Sequence, residues 1–186
     1  MENREIEAKF LEINKNELIA KLQNLGAKDL GEDLVRDIIF YDKDGKWKDD
    51  GKTFARIRNS KQGMTLTYKN EEAETALGME EIEFGIDNIE KAKEFLGAVG
   101  LVLSREQEKK RHKFKFGEAT VDIDTWPGVP TYVELEGPSE ESIKQAAEDL
   151  AFDWSQAVFG NAGRVLKKYY NIPIFNLRYF TFDKVE

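Results

Sequence analysis

Apolar and charged residues alternate at the start of the chain. Ile6, Ala8 and Phe10 fall on one face and Glu5, Glu7 and Lys9 on the other, which predicts a half-buried strand over residues 4–12. The period then changes to that of a helix. Asn14 precedes Leu18, Ile19, Leu22 and Leu25 at helical spacing, Glu17 stands where a capping box needs it, and Gly26 supplies a stop. Val35–Tyr41 is β-branched and aromatic and leads into a turn at Asp42–Gly45. Thr53–Asn59 and Met64–Lys69, separated by Ser60–Gly63, predict a hairpin. Met79–Ile86 reads as a strand, and Asn88 opens a helix with Ile89, Ala92, Phe95 and Leu96 on one side.

Further strands are expected over Leu101–Phe116, Ala119–Thr125 and, past the loop Trp126–Pro130, Thr131–Glu136. Helices are expected from Ser139, with Ile143, Ala146, Ala147 and Leu150 inward, and over roughly Ser155–Tyr170. Pro173 bars that last helix from continuing, so Ile172–Phe182 is expected as a terminal strand or a flap. Strands and helices occur without a βαβ rhythm, which predicts an α+β fold around an antiparallel sheet.

The charges on these strands repeat at i, i+2 and so share a face. They are Glu5/Glu7/Lys9, Arg56/Arg58, Lys69, Glu81/Glu83, Lys109/Arg111/Lys113/Lys115, Asp122/Asp124 and Glu134/Glu136. Alternation by itself is what any antiparallel sheet with one wet face shows. Two features point further. These positions are almost purely Glu, Asp, Arg and Lys, and the flanking helices are needed to cover the apolar faces. If about eight strands close on themselves, the charged faces line one interior wide enough for a small ligand. Enclosed charges must be paired, hydrated or bound to something of opposite sign. A phosphate chain held by Arg and Lys, with a divalent cation held by carboxylates, answers both signs at once.

Composition narrows the classes. The chain has 186 residues, 28 Lys+Arg against 36 Asp+Glu, a formal net charge of −8, one His and no Cys. The acidic balance disfavours nucleic acid and anionic membrane as partners. The lack of Cys excludes disulfides, thiolate metal sites and a Cys nucleophile. A single His excludes a multi-histidine metal site, and His112 falls on the strand face opposite Arg111, outside the expected lumen. No apolar stretch approaches a membrane span, and MENREIEAKF does not read as a signal peptide, so a cytoplasmic protein is expected. Trp47, Trp126 and Trp154 near turns and helix starts read as packing residues.

The ordered motifs resemble the CYTH superfamily, the triphosphate tunnel metalloenzymes. Glu5-Ile6-Glu7-Ala8-Lys9 is similar to its N-terminal ExExK signature. Arg56-Ile57-Arg58 resembles its RxR strand, Thr65–Lys69 its lysine-ending strand, and Glu81-Ile82-Glu83 its middle acidic pair. Lys109-Lys110-Arg111, Asp124, the Gly128 turn and Glu134-Leu135-Glu136 complete the series. Met79 stands where many members carry Arg, and Gly128-Val129-Pro130 departs from the usual glycine turn.

The resemblance implies an eight-stranded antiparallel closed β-barrel, a tunnel with flanking helices, as one domain over residues 1–186. Its core covers about 2–170 and its C-terminal tail 171–186. It implies Mg²⁺ or Mn²⁺ bound by Glu5, Glu7, Asp124, Glu134 and Glu136, and phosphates held by Lys9, Arg56, Arg58, Lys69, Lys109 and Arg111. Glu81 and Glu83 would support those bases or help position a second cation. Asp122, Lys113 and Lys115 have the right parity for the lumen, but their place nearer strand ends makes them candidate surface charges. The implied activity is metal-dependent hydrolysis of inorganic triphosphate, thiamine triphosphate or a nucleoside triphosphate, with Glu5 or a Lys9 of depressed pKa taking the proton. The alternatives are a class IV adenylyl cyclase-like conversion of ATP to cyclic AMP and pyrophosphate, and a non-catalytic polyphosphate- or nucleotide-binding module. The apolar tail is expected either to cover the barrel or to mediate a homodimer.

Overall fold

A computed structural model describes residues 4–186, with side chains from Glu5 onward. The strands are β1 (Arg4–Glu5), β2 (Glu7–Phe10), β3 (Lys28–Asp42), β4 (Thr53–Ser60), β5 (Gly63–Glu71), β6 (Met79–Ile86), β7 (Leu101–Phe116), β8 (Ala119–Thr125), β9 (Tyr132–Glu136) and β10 (Tyr179–Phe180). The helices are α1 (Lys15–Asn24), α2 (Lys46–Asp50), α3 (Ile89–Ala98), α4 (Glu140–Asp149) and α5 (Ala162–Tyr170).

The sheet runs β1-β6-β5-β4-β3-β7-β8-β9-β2, and each neighbour along that path is antiparallel. β1 and β2 are two halves of one N-terminal strand. Its first half pairs with β6 and its second with β9, so the path returns to its start and eight strands close into a barrel. Ile6 marks the changeover: its carbonyl accepts from Gly137, while the next amide, Glu7, donates to Ala76.

The apolar strand faces point outward to helices. Ala8, Phe10, Phe114, Val121, Ile123, Val133 and Leu135 pack under α1 and α4, contributing Leu18, Leu22, Ile143, Ala147 and Leu150. Phe40, Ala55, Ile57 and Leu66 pack under Ala92 and Leu96 of α3. Asn14, Asn88 and Ser139 cap α1, α3 and α4 through their side chains, each accepting from first-turn amides. Glu17 reaches the Asn14 side-chain amide at 2.8 Å, so the capping box expected there closes side chain to side chain.

The expected helix over Ser155–Tyr170 is broken. A 3₁₀ turn at Trp154–Gln156 is followed by Val158, whose backbone bridges Lys9 at the barrel seam, and by Gly160 at φ +106°. That backbone conformation cannot lie in a helix, and α5 starts at Ala162. The tail folds against one end of the barrel. β10 pairs parallel with β7, and Ile174 and Phe180 are buried with Trp126, Tyr132 and Leu166. Among the described residues no helix is long and apolar enough to cross a membrane.

Candidate active site

The inward faces enclose a cavity of about 530 Å³ whose wall carries eight Lys and Arg side chains and seven Asp and Glu side chains. The register explains how so many charges coexist. Asp37 faces Arg58 across the β3–β4 ladder, and the guanidinium donates from Nε and Nη2 at 2.8 and 3.0 Å. Arg111 faces Asp124 and donates to it from Nε and Nη2 at 2.7 and 2.6 Å, while also reaching Glu134 and Asp122 at 2.6 Å each. Lys109 donates to Asp124 at 2.6 Å. Lys69 binds Glu5 and sits 3.0 Å from Glu81, its ladder partner. Arg56 lies 3.4 Å from Glu83 and 3.7 Å from Glu81. Lys9 donates to Glu7 at 2.5 Å. Glu81 and Glu83 thus lie against Lys69 and Arg56, two bases of the lumen wall.

The phosphate-binding candidates Lys9, Arg56, Arg58, Lys69, Lys109 and Arg111 all line this cavity, and so do Glu5, Glu7, Glu134 and Glu136. Asp124 is fully buried beneath Lys109 and Arg111, where it positions two bases. His112 is outside, bonded to Asp29 and stacked on Phe114, as its parity predicts.

Three sequence expectations change. Asp122 is not a surface charge: it is 2 % exposed, pinned by Arg111 and near Lys113, because β8 is inside the closed circuit rather than at an edge. Lys113 lines the cavity, whereas Lys115 turns outward to the Glu118 carbonyl. Trp126 is a wall residue as well as a packing one, with the Lys109 ammonium 5.3 Å from its ring centre and its indole N–H donating to Tyr132 at 2.9 Å.

Electrostatics separate the two proton-transfer candidates. Burial would push the Glu5 carboxyl up, but the Lys69 charge and hydrogen bond outweigh it and hold Glu5 at about 2. Burial would lower Lys9, yet Glu7 and Glu134 outweigh it, so its pKa is raised rather than depressed. The lysine that burial and Arg111 do push down is Lys109. Burial drives Glu7 up to about 7 against the pull of Lys9, with Glu5 and Glu134 adding to the rise.

The donor set fits a divalent cation in its chemistry. Glu7 stands directly opposite Glu136, and Asp122 opposite Glu134, across their ladders. Like charges facing each other in a sheet destabilise it unless something positive lies between them. Arg111 does this for Asp122 and Glu134. Glu7 and Glu136 keep raised pKa values, burial being the largest cause for each and neighbouring carboxylates adding to it. Among the described residues, no three acidic groups stand at ready-made ion-binding distances.

Closed barrel, charged lumen and ordered motifs meet in one domain type, and the CYTH-domain family model matches residues 3–170. The chain belongs to the CYTH domain family. Proteins of this family include adenylate-cyclase-like and triphosphatase-like enzymes. A curated relative, "Putative adenylate cyclase MJ0240" of Methanocaldococcus jannaschii, is 27 % identical over 71 % of this chain and 75 % of its own. The solved structure of the PH1012 protein from Pyrococcus horikoshii superposes with a TM-score of 0.68 at 21 % identity, covering 82 % of this chain and 93 % of that one. Hippeastrum HpAC1, described as a "putative adenylyl cyclase" with dominant triphosphatase activity, gives 0.63 at 16 % identity over 91 % of this CYTH chain and 98 % of its own.

Proposed function

We propose that this CYTH protein hydrolyses a small triphosphate, inorganic or organic, inside the lumen. The observation carrying this reading is the set of eight cationic side chains around one enclosed cavity, most of them held in place by carboxylates. Lys9, Arg56, Arg58, Lys69, Lys109 and Arg111 donate to the phosphate oxygens, and pre-paired guanidinium and ammonium groups need little reorganisation when charge builds on the transferred phosphoryl group. Glu5, Glu7, Glu134 and Glu136 would hold Mg²⁺ or Mn²⁺, which supplies Lewis-acid polarisation of phosphate oxygens and acidifies a bound water. Glu81 and Glu83 keep Lys69 and Arg56 aimed at the phosphates.

Cyclisation of ATP is the second reading. It is favoured by the cyclase names among relatives and by the apolar wall residues Ile39, Phe54 and Trp126, against which a base could lie. Product analysis with inorganic triphosphate, thiamine triphosphate and ATP, each with Mg²⁺ and Mn²⁺, decides between them. Orthophosphate release that EDTA abolishes is expected, and full activity in excess EDTA would overturn the metal-dependent reading. Cyclic AMP and pyrophosphate from ATP would replace hydrolysis by cyclisation.

Glu7 gives this reading a pH signature. Holding its proton up to about 7 without metal, Glu7 must lose it to become a ligand. Apparent Mn²⁺ affinity, measured calorimetrically, should therefore rise with pH below 7 by up to about tenfold per unit and flatten above it. An affinity independent of pH from 6 to 8 would remove Glu7 from the ligand set.

A further inference from the structure

One lumen cation stands apart from the motif residues. Arg105 is 4 % exposed and lines the cavity, yet it has no carboxylate ion-pair partner among the described residues. The seven other Lys and Arg side chains of the wall all have one. Its partners are neutral: Nε donates to the Gln107 side-chain oxygen at 2.7 Å and Nη1 to the Tyr41 hydroxyl at 3.2 Å. Nη2 has no acceptor among the described residues. The guanidinium carbon lies 5.8 Å from the Tyr41 ring centre and 5.7 Å from that of Phe175. Burial without a counter-ion is unfavourable for a cation unless an anion or water completes it.

The structure also places the start of α5 beside this group. Asn161, Ala162 and Gly163 line the same cavity, and the Cβ position of Gly163 is 3.5 Å from Arg105 Nη2. Asn161 caps the helix by accepting from the Arg164 amide, while the amides of Ala162 and Gly163, in the first turn, have no intrahelical acceptor. A tether fixes this end of the helix. The buried Glu71 carboxylate accepts from the Asn161 backbone and side chain at 2.9 and 2.8 Å and also binds Arg164. Glu71 thus answers the Asn161 amide, while two first-turn amides and a guanidinium with no carboxylate partner among the described residues meet at one end of the lumen. Along β7, Arg105 stands four positions before Lys109, about 13 Å of strand.

We propose that Arg105 and the first-turn amides of α5 form a separate oxyanion subsite, filled by the phosphoryl group at the α5 end of a bound polyphosphate chain. The subsite deepens the triphosphate reading and rests on it for the rest of the ligand. It makes the lumen selective for chain length: inorganic triphosphate reaches the subsite and pyrophosphate, seated at the motif bases, does not.

The test is calorimetric titration of the full chain in EDTA with inorganic triphosphate and pyrophosphate. Arg105→Gln should weaken triphosphate binding about tenfold or more and change pyrophosphate binding by less than about threefold. Arg105→Lys, which keeps the charge, should recover part of the loss. Tyr41→Phe, which frees Nη1 without altering charge, should give a smaller loss of the same sign and provides a milder variant if Arg105→Gln fails to fold. Ligand-free Arg105→Gln should melt no lower than the wild type, since it removes a buried charge lacking a counter-ion. Unchanged triphosphate binding in both Arg105→Gln and Tyr41→Phe, or equal losses for both ligands, would overturn the subsite and leave the hydrolase reading standing. Arg105-dependent binding without turnover of any triphosphate would support the subsite and sink the hydrolase reading.

Discussion

Replacing Glu134 by glutamine is expected to lower metal-dependent triphosphate turnover by about 10²–10³-fold while leaving the fold intact, the scale on which preorganised active-site groups act. Glu134 sits in β9 directly opposite Lys9, accepts from Arg111 at 2.6 Å, and contributes to the raised pKa of Glu7. It therefore touches both halves of the site, the base cluster and the carboxylates assigned to the cation. Glutamine keeps the volume and an acceptor oxygen for Arg111 but removes the charge. Arg111 retains Asp122 and Asp124, so no buried guanidinium is left unpaired. Initial rates at saturating Mn²⁺ and a thermal melt on the same samples separate the two effects. A rate within threefold of wild type would remove Glu134 from the catalytic set.

The second large effect concerns stability. Arg111 neutralises Asp122, Asp124 and Glu134, all buried. Burial lowers its tendency to stay charged, but Asp122, Asp124 and Glu134 more than restore it, so its pKa lies well above the usual range. Arg111→Met fills much of the same volume and leaves Asp124 with Lys109, Asp122 with the more distant Lys113, and Glu134 without its paired guanidinium. Breaking a buried pair from one side typically costs about 3–5 kcal/mol. Urea unfolding should show a loss of that size at pH 8 that shrinks as pH falls and these carboxylates protonate in the folded state. Adding Asp124→Asn should return part of it, a coupling a double-mutant cycle reads directly. A loss below 1 kcal/mol would show that the acids are solvated rather than held by Arg111.

Strand periodicity carried most of this architecture because a barrel with a charged inside and helices outside obeys strict period-two alternation. Met79–Ile86, Leu101–Phe116 and Ala119–Thr125 occur with the bounds their patterns predict. The pattern failed where backbone conformation overrode composition. Ser155–Tyr170 has helical content, yet Val158 pairs with Lys9 and Gly160 turns left-handed, so the segment seals the barrel seam before α5 begins.

The candidate site was legible wherever its charges came in i, i+2 pairs. Asp37 escaped that filter as a lone acid among inward-facing Val35, Ile39 and Tyr41. Its parity was the signal: burial would raise its pKa, but Arg58, its ladder partner, holds it well below the carboxylate range. Arg105 and Gln107 share the parity of Lys109 and Arg111 but lie outside the matched motif. Trp126 and Asn161–Gly163 belong to loops and a helix start, where no periodicity points inward.

The sequence by itself therefore determined which side chains face one another's side of the sheet, because a strand's period is a property of the chain. It also determined that the acidic balance of the whole could coexist with a site for a polyanion, since both signs are interleaved strand by strand. Only the tertiary structure decided which charge answers which. Pairing depends on ladder register and on closure through β1 and β2, both set by contacts between residues far apart in the chain. Closure left Arg105 without a carboxylate partner among the described residues and brought the α5 amides to its side, an arrangement that local pattern does not encode.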